Sequence, residues 1–101
     1  MTRLKIEIPR TKIRNFCIKW KITEFALFGS VLRDDFNSDS DIDVLVTFAS
    51  NAHHSLFDLF TMREELQKIF KRDVDLVEKA GLCNPFRKKA ILENNEVVYE
   101  S

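Results

Sequence analysis

Residues 29–43, GSVLRDDFNSDSDID, decide how this sequence folds and what chemistry it can support. The stretch begins with Gly29-Ser30 at the end of one apolar segment and finishes with Asp41-Ile42-Asp43 at the start of another. Side chains two apart on a strand project from the same face, so Asp41 and Asp43 should share one face. Two carboxylates held side by side repel each other unless a cation lies between them, and oxygen ligands of this kind suit Mg²⁺. A pair of solvated acids at a strand edge is the simpler alternative.

The Gly29-Ser30 pair predicts a second kind of site. A glycine that ends a strand allows a phosphate to approach the backbone closely. A short helix over 30–35 would add free N–H groups at its beginning. For the dipeptide alone, a strand-to-helix turn with a serine cap is the simpler interpretation. Together with the two aspartates, the pair predicts a phosphate site beside a metal site.

Hydrophobic periodicity around this stretch predicts alternating helices and strands. Ser55 with Asp58 fits a capping box, and Asn84-Pro85 fits a cap followed by a first-turn proline. The order predicts an α/β fold, a small mixed sheet with helices packed against it, and leaves strand order and direction open. The expected helices cover 9–20, 30–35, 56–71 and 85–93, the strands cover 22–28, 41–48, 73–78 and 96–99, and a polar loop covers 34–40.

Three groups of side chains outside the motif have a structural interpretation. His53-His54 should lie in a polar loop, and Arg87, Lys88 and Lys89 should form a solvated helix face. Phe57 falls among Glu64 and Lys68 on its helix, as a surface aromatic or as part of a partner interface. The buried face of that helix is expected to consist of Leu56, Leu59, Phe60, Met62, Leu66, Ile69 and Phe70.

The composition predicts one domain, residues 1–101, in a cytoplasmic protein. Lysine plus arginine and aspartate plus glutamate both count 16, so free nucleic acid is not expected as the main partner. No apolar run reaches the roughly 20 residues that a membrane span needs, and the N-terminus lacks the apolar region of a signal peptide. Cys17 and Cys83 have no CxxC spacing, which favours two buried free thiols over a disulfide.

Gly29-Ser30, ten intervening residues and then Asp41-Ile42-Asp43 are similar to the signature of the DNA polymerase β nucleotidyltransferase superfamily. The whole chain resembles its smallest members, the minimal nucleotidyltransferase (MNT) domains. Arg33 matches a position where these domains often carry arginine, whereas Asp34 stands where they often carry glycine. The resemblance implies a polymerase β-type fold.

The resemblance also implies a third carboxylate on a later strand. Asp75 matches it in context, and Asp73, on the same face, is its rival. ATP would be the substrate, with two Mg²⁺ ions held by Asp41, Asp43 and Asp75. Gly29, Ser30 and Arg33 would bind the triphosphate, and Asp75 could serve as general base.

Domains of this size in the family are paired with HEPN-domain toxins, which they neutralise by transferring AMP or by binding. The resemblance therefore implies an antitoxin that forms a hetero-oligomer with a HEPN toxin and adenylylates a hydroxyl of it, with tyrosine favoured. Two alternatives stay open. One is a non-catalytic antitoxin that acts by binding, and the other is a small-molecule nucleotidyltransferase that forms a homodimer.

Overall fold

The computed structural model of the protein describes residues 8–33, 36–37 and 39–101. Seven helices and strands follow one another in these ranges, and each agrees with a predicted element to within one residue at either end. They are α1 (Arg10–Trp20), β1 (Ile22–Phe28), β2 (Ile42–Phe48), α2 (Leu56–Phe70), β3 (Val74–Glu78), α3 (Pro85–Glu93) and β4 (Asn95–Glu100). Both predicted caps are confirmed: Ser55 and Asp58 form a capping box, and the Asn84 side chain accepts from two N–H groups of α3.

The predicted helix over 30–35 is shorter than expected and is not an α-helix. Gly29–Leu32 form a single 3₁₀ turn instead, and Arg33 is already extended, with φ −100° and ψ 155°. The Arg33 N–H donates to the Ser30 carbonyl at 3.0 Å, which closes the turn. Such turns seldom exceed three or four residues because their hydrogen bonds are poorly aligned. Residues 34 and 35, at the end of the predicted helix, lie outside the described residues.

The four strands form one mixed sheet in the order β3-β2-β1-β4. β1 is antiparallel to both β2 and β4, whereas β2 and β3 are parallel. A parallel pair needs a crossover connection, and α2 supplies it. The mixed sheet with packed helices confirms the predicted fold class and supplies the strand order that periodicity left open.

The two faces of the sheet carry different residues. The face covered by α1 and α2, here called the core face, packs with them into the larger buried cluster, which includes Phe25 and Val44 of the sheet and Leu66 of α2. The opposite face, here called the open face, is covered in part by α3. Its smaller buried cluster consists of Ala26, Phe28, Leu45 and Ile91.

Two predictions of burial are wrong. Leu56 and Phe60 were expected in the buried face of α2, yet they are 69% and 54% exposed. They lie beside β3, which is the edge strand among the described residues, so no further strand of this part of the chain covers them. Cys83 was expected to be buried and is exposed, while Cys17 is buried and both thiols are free. Burial raises the pKa of Cys17 to about 12.

Within the described ranges, no helix combines the length and the apolar character needed to cross a membrane.

Candidate active site

Asp43 lies at the centre of the candidate site because of its place in the sheet. Its Cα pairs with Phe28 at the end of β1 and with Asp75 of β3. Asp43 and Asp75 are therefore neighbours on adjacent parallel strands, and both alternate with residues of the core face, so they project from the open face. Asp41 precedes β2 by one residue and lies two before Asp43. The structure thus brings the three predicted aspartates to one end of the open face.

The turn after β1 is fastened to the same end of β2 by Ser30. The Ser30 N–H donates to Asp43 Oδ2 at 3.4 Å. The Ser30 hydroxyl donates to the Asp41 carbonyl at 3.0 Å. These two bonds hold the turn against the aspartates. The Ser30 hydroxyl, which the sequence suggested as a phosphate donor, is engaged with the backbone here.

Gly29 has a structural role that the sequence did not reveal. Its φ is +72°, a conformation that L side chains rarely adopt. A Cβ at this position would overlap the Asp43 carboxylate. The glycine therefore permits the turn and leaves room for the acid, in addition to any phosphate that approaches the backbone.

The electrostatics of the site centre on Asp43. Burial is the largest cause that raises the pKa of its carboxyl, and the charges of Asp75 and Asp41 raise it further. The Ser30 N–H and the Arg33 guanidinium act in the opposite direction. Asp75, rather than Asp73, exerts this influence, which supports Asp75 as the third carboxylate. Arg33 is exposed, with its charge near enough to stabilise the Asp43 carboxylate.

The donor set fits magnesium, although it is not a closed cage. No three acidic, histidine or cysteine side chains of the described residues converge tightly enough to form a complete cluster of metal ligands. Asp41 and Asp75 are exposed, and Asp43 is half-buried between them. Mg²⁺ is usually bound by one or two carboxylates and completes its shell with water and substrate phosphates. Carboxylates that repel one another beside an open surface fit that mode of binding.

Two cavities flank the aspartates. One of about 350 Å³ begins at Gly29 and lies between the 3₁₀ turn and the end of α3, with Leu32 and Ile91 among its walls. The other, of about 500 Å³, is polar and is lined by Asp41 and Asp73 together with Lys71 and Arg72 and their neighbours. A larger cavity of about 590 Å³ includes Thr47, Phe48 and the 53–55 segment, at the far end of β2 from Asp43.

Arg72 is a residue of the site region that the sequence did not single out. Its guanidinium Nη1 donates to the carbonyls of Asn37 and Ser40, at 2.8 and 3.0 Å. Its Cζ also lies 4.5 Å from the centre of the Phe36 ring. Arg72 therefore holds the backbone at Asn37 and at Ser40, the residue before Asp41. Its partners lie more than thirty residues earlier in the chain, so no local pattern could have indicated the contact.

His54 is more than a polar loop residue. Its Nε2 lies 2.8 Å from the Trp20 carbonyl, and its ring packs against those of Trp20 and Phe48. It joins the end of α1 to the end of β2, away from the aspartates. Arg87, Lys88 and Lys89 are exposed on α3, as expected.

The profile of the nucleotidyltransferase domain family matches residues 10–98 of the chain. A Methanocaldococcus jannaschii protein, inferred to be a protein adenylyltransferase, is 40% identical over 76 residues, which are 75% of this chain and 76% of the relative. The protein adenylyltransferase MntA of Thermococcus cleftensis is 33% identical over 81 residues, 80% of this chain and 77% of the relative.

Solved structures share the fold. A toxin–antitoxin complex with AMP-PNP contains a chain that matches with a TM-score of 0.75 and 20% identity, over 93% of this chain and 75% of that one. A Shewanella oneidensis complex of a tri-AMPylated HEPN toxin with an MNT antitoxin matches with a TM-score of 0.65 and 20% identity, over 91% and 70%.

Proposed function

The chain belongs to the nucleotidyltransferase domain family, and from that premise we propose that it transfers AMP from ATP to a hydroxyl of a partner protein. The partner we propose is a HEPN-type toxin, which makes this chain the antitoxin of a toxin–antitoxin module. The T. cleftensis relative is named a protein adenylyltransferase, and the S. oneidensis match is an antitoxin beside an AMPylated toxin. Both support the proposal.

The observation that carries the chemistry is the register of Asp43 with Asp75, beside a turn that Ser30 fastens to the same aspartates. Asp41, Asp43 and Asp75 would hold magnesium, two ions in the mechanism that we propose. Bound Mg²⁺ neutralises the triphosphate charge and lowers the pKa of the acceptor hydroxyl.

The chain's own residues would orient the two reactants. The half-buried backbone at Gly29 and the Arg33 guanidinium lie on the β1 side of Asp43, where they would bind the β- and γ-phosphates. Asp75 lies on the β3 side, where its carboxylate would accept the proton of the acceptor hydroxyl. The acceptor oxygen bonds to the α-phosphorus, the bond to the β-phosphate oxygen breaks, and pyrophosphate leaves.

A tyrosine hydroxyl is the acceptor that we propose. A phenol has a pKa of about 10, so it ionises more readily than a serine or threonine hydroxyl. AMP on the toxin adds a bulky anion, which near an RNA-cleaving site would repel substrate phosphates.

The test uses ATP labelled on the α-phosphate, Mg²⁺ and the protein encoded beside this chain's gene. Label should appear on that protein, and intact-mass spectrometry should show one or more added AMP units. A Tyr→Phe change at the labelled position should prevent the addition. If the toxin is blocked stoichiometrically while its mass stays unchanged, the antitoxin acts by binding alone.

A further inference from the structure

α2 leaves an apolar surface uncovered at the edge of the sheet. Leu56, Phe57 and Phe60 are 69%, 83% and 54% exposed. Residues three and four apart are neighbours on a helix, so Phe60 adjoins the other two. An open groove of about 220 Å³ separates this surface from β3, with Leu76 on its opposite wall and Arg63 and Glu78 among its lining residues. The groove and Phe57 are together called the α2–β3 groove.

β3 presents its outer side to this groove. Among the described strands β3 pairs with β2 alone, so its other side faces no strand. The Ile42 N–H donates to the Asp73 carbonyl, which directs the peptide groups of the next residue, Val74, outward. Arg63 Nε donates to the Val74 carbonyl at 2.9 Å. The first outward carbonyl of β3 thus already accepts a hydrogen bond from Arg63. A molecule in the groove would therefore pack against side chains and would not pair with that carbonyl as an added strand.

The strand order indicates from which side an acceptor reaches the candidate site. Gly29 and Ser30 follow β1, Asp43 lies on β2 and Asp75 lies on the edge strand β3. With the triphosphate on the β1 side, the acceptor hydroxyl must approach from the β3 side. Leu76 of the groove directly follows Asp75, and consecutive Cα atoms are about 3.8 Å apart. Leu76 projects from the core face and Asp75 from the open face, so an acceptor protein held in the groove would lie at the edge of β3 and would reach Asp75 around that edge.

We propose that the α2–β3 groove is the docking surface for the acceptor protein, which presents its hydroxyl to Asp75 around the edge of β3. The inference rests on the proposed function. The groove fits an amphipathic helix whose apolar side chains pack against Leu56, Phe60 and Leu76. Arg63 and Glu78 are opposite charges next to the two ends of β3, so they would favour one orientation of the partner. A second copy of the chain in the groove would obstruct the edge that the acceptor must pass.

The experiment compares Phe57→Ala and Phe60→Ala with the wild-type chain, using the neighbouring gene's product as the acceptor protein. Buried aromatic side chains often dominate an interface, so we expect each variant to bind the acceptor at least about tenfold more weakly. kcat/KM for the acceptor should fall by the same factor. The kcat at saturating acceptor and the affinity for Mg-ATP should not change. Ile18→Ala, at a 58% exposed position on α1, is the matched control and should behave as wild type.

The outcomes separate this inference from the proposed function. If the wild type transfers AMP and both variants bind and modify the acceptor equally well, the docking surface lies elsewhere. If the wild type binds the acceptor without modifying it, and the variants lose that binding, the docking surface stands and the transfer reaction fails. If size-exclusion chromatography shows a wild-type dimer that the variants lose while acceptor modification is undiminished, the groove holds a second copy and the inference is overturned.

Discussion

The core face and the open face of the sheet are built from alternate residues of the same strands, and they differ in the size of their buried cluster and in the charge that they carry. On β2, Val44 and Val46 are fully buried on the core face, and Asp43 lies on the open face one residue away from Val44. Within the described ranges, the core face is covered by helices of 11 and 15 residues, whereas the open face has one helix of nine.

The difference shows how a chain of this size can tolerate an unfavourable group of charges. A small domain has little surplus stability. The repulsion felt by Asp43 lies on the face that contributes the smaller buried cluster, so the larger core is undisturbed. We therefore expect substitutions on the open face to alter activity and those on the core face to alter stability.

The largest effect should come from Asp43→Asn or Asp41→Asn. Either change removes a charged ligand, and transfer of AMP should fall by about a thousandfold or more, equivalent to roughly 4 kcal/mol of transition-state stabilisation. Circular dichroism should show an intact fold. Asp39→Asn, two residues before Asp41, is the matched control and should keep its activity. Near-wild-type transfer by both site variants would contradict the two-metal proposal.

The next effect distinguishes Asp75 of β3 from Asp73, which directly precedes that strand. Asp75→Ala should lower turnover by about a hundredfold or more, because it removes the proposed general base and a metal ligand. Asp73→Ala should have a much smaller effect. The affinity for Mg-ATP should survive better in Asp75→Ala than in Asp41→Asn, as measured by calorimetry. If Asp73→Ala is the inactive variant, the third carboxylate is Asp73.

In the larger cluster, which packs on the core face, Leu66→Ala should lower the free energy of unfolding by about 4 kcal/mol, because it leaves a cavity among buried side chains. Ile91→Ala on the open face should cost only about 2 kcal/mol, because that cluster is smaller and nearer to solvent. Urea titrations of both variants measure the difference. Equal losses would mean that the open face contributes to stability as much as the core face does.

Gly29→Ala should weaken both nucleotide binding and stability. The new Cβ would meet the Asp43 carboxylate and require a strained φ, so the affinity for Mg-ATP should fall by about tenfold and stability by about 1 kcal/mol. Gly81→Ala is the control, since a Cβ there would meet nothing within 4 Å. Isothermal calorimetry with Mg-ATP should show unchanged affinity for the control; unchanged affinity in Gly29→Ala as well would place the phosphates elsewhere.

The smallest effect concerns the stability of the Mg²⁺-free protein. Burial and the neighbouring acids raise the pKa of the Asp43 carboxyl, so the native state holds this proton to higher pH than the unfolded chain does. As pH rises from the pKa of the unfolded chain through the pKa of the native state, the carboxyl of the native protein ionises at a cost, and the free energy of unfolding falls. Below both pKa values the carboxyl is protonated in both states, and no stability is lost.

Asp43→Asn should accordingly raise the melting temperature slightly at about pH 7 and leave it unchanged near pH 3, below the unfolded pKa of about 3.9. Added Mg²⁺ should stabilise the wild type more than the variant. A variant that melts below the wild type at neutral pH without Mg²⁺ would show that Asp43 is not under electrostatic strain. Thermal melts monitored by circular dichroism supply these values.

Much of the fold could be predicted because its signals are local. The periodicity of α1 and the Ser55 capping box depend on neighbours in the chain, and both are present in the structure. The exposure of Leu56 and Phe60 could not be predicted, because it depends on β3 being the edge strand. Periodicity shows which side of a helix is apolar, whereas the strand order determines how much of that side the sheet can cover.

The candidate site likewise has features that the sequence predicted and contacts between distant residues that it did not. The spacing of Asp41 and Asp43 predicted their shared face, and the resemblance to the nucleotidyltransferase superfamily pointed to Asp75 on the later strand. The overlap between a side chain at Gly29 and the Asp43 carboxylate is a contact across two strands, so the dipeptide could suggest a turn or a phosphate site but not this contact. Arg72 was missed for the same reason, since its carbonyl partners precede β2.

The hydrogen bond from Arg63 to the Val74 carbonyl bears on how this chain behaves before it meets a partner. Exposed edge strands are templates for cross-β growth, and an apolar groove beside one adds to that hazard. The guanidinium engages the first outward carbonyl of β3 and places a charge there, so another strand cannot extend the sheet in register without displacing it. The chain can thus display a surface suited to a helix while discouraging fibrillation.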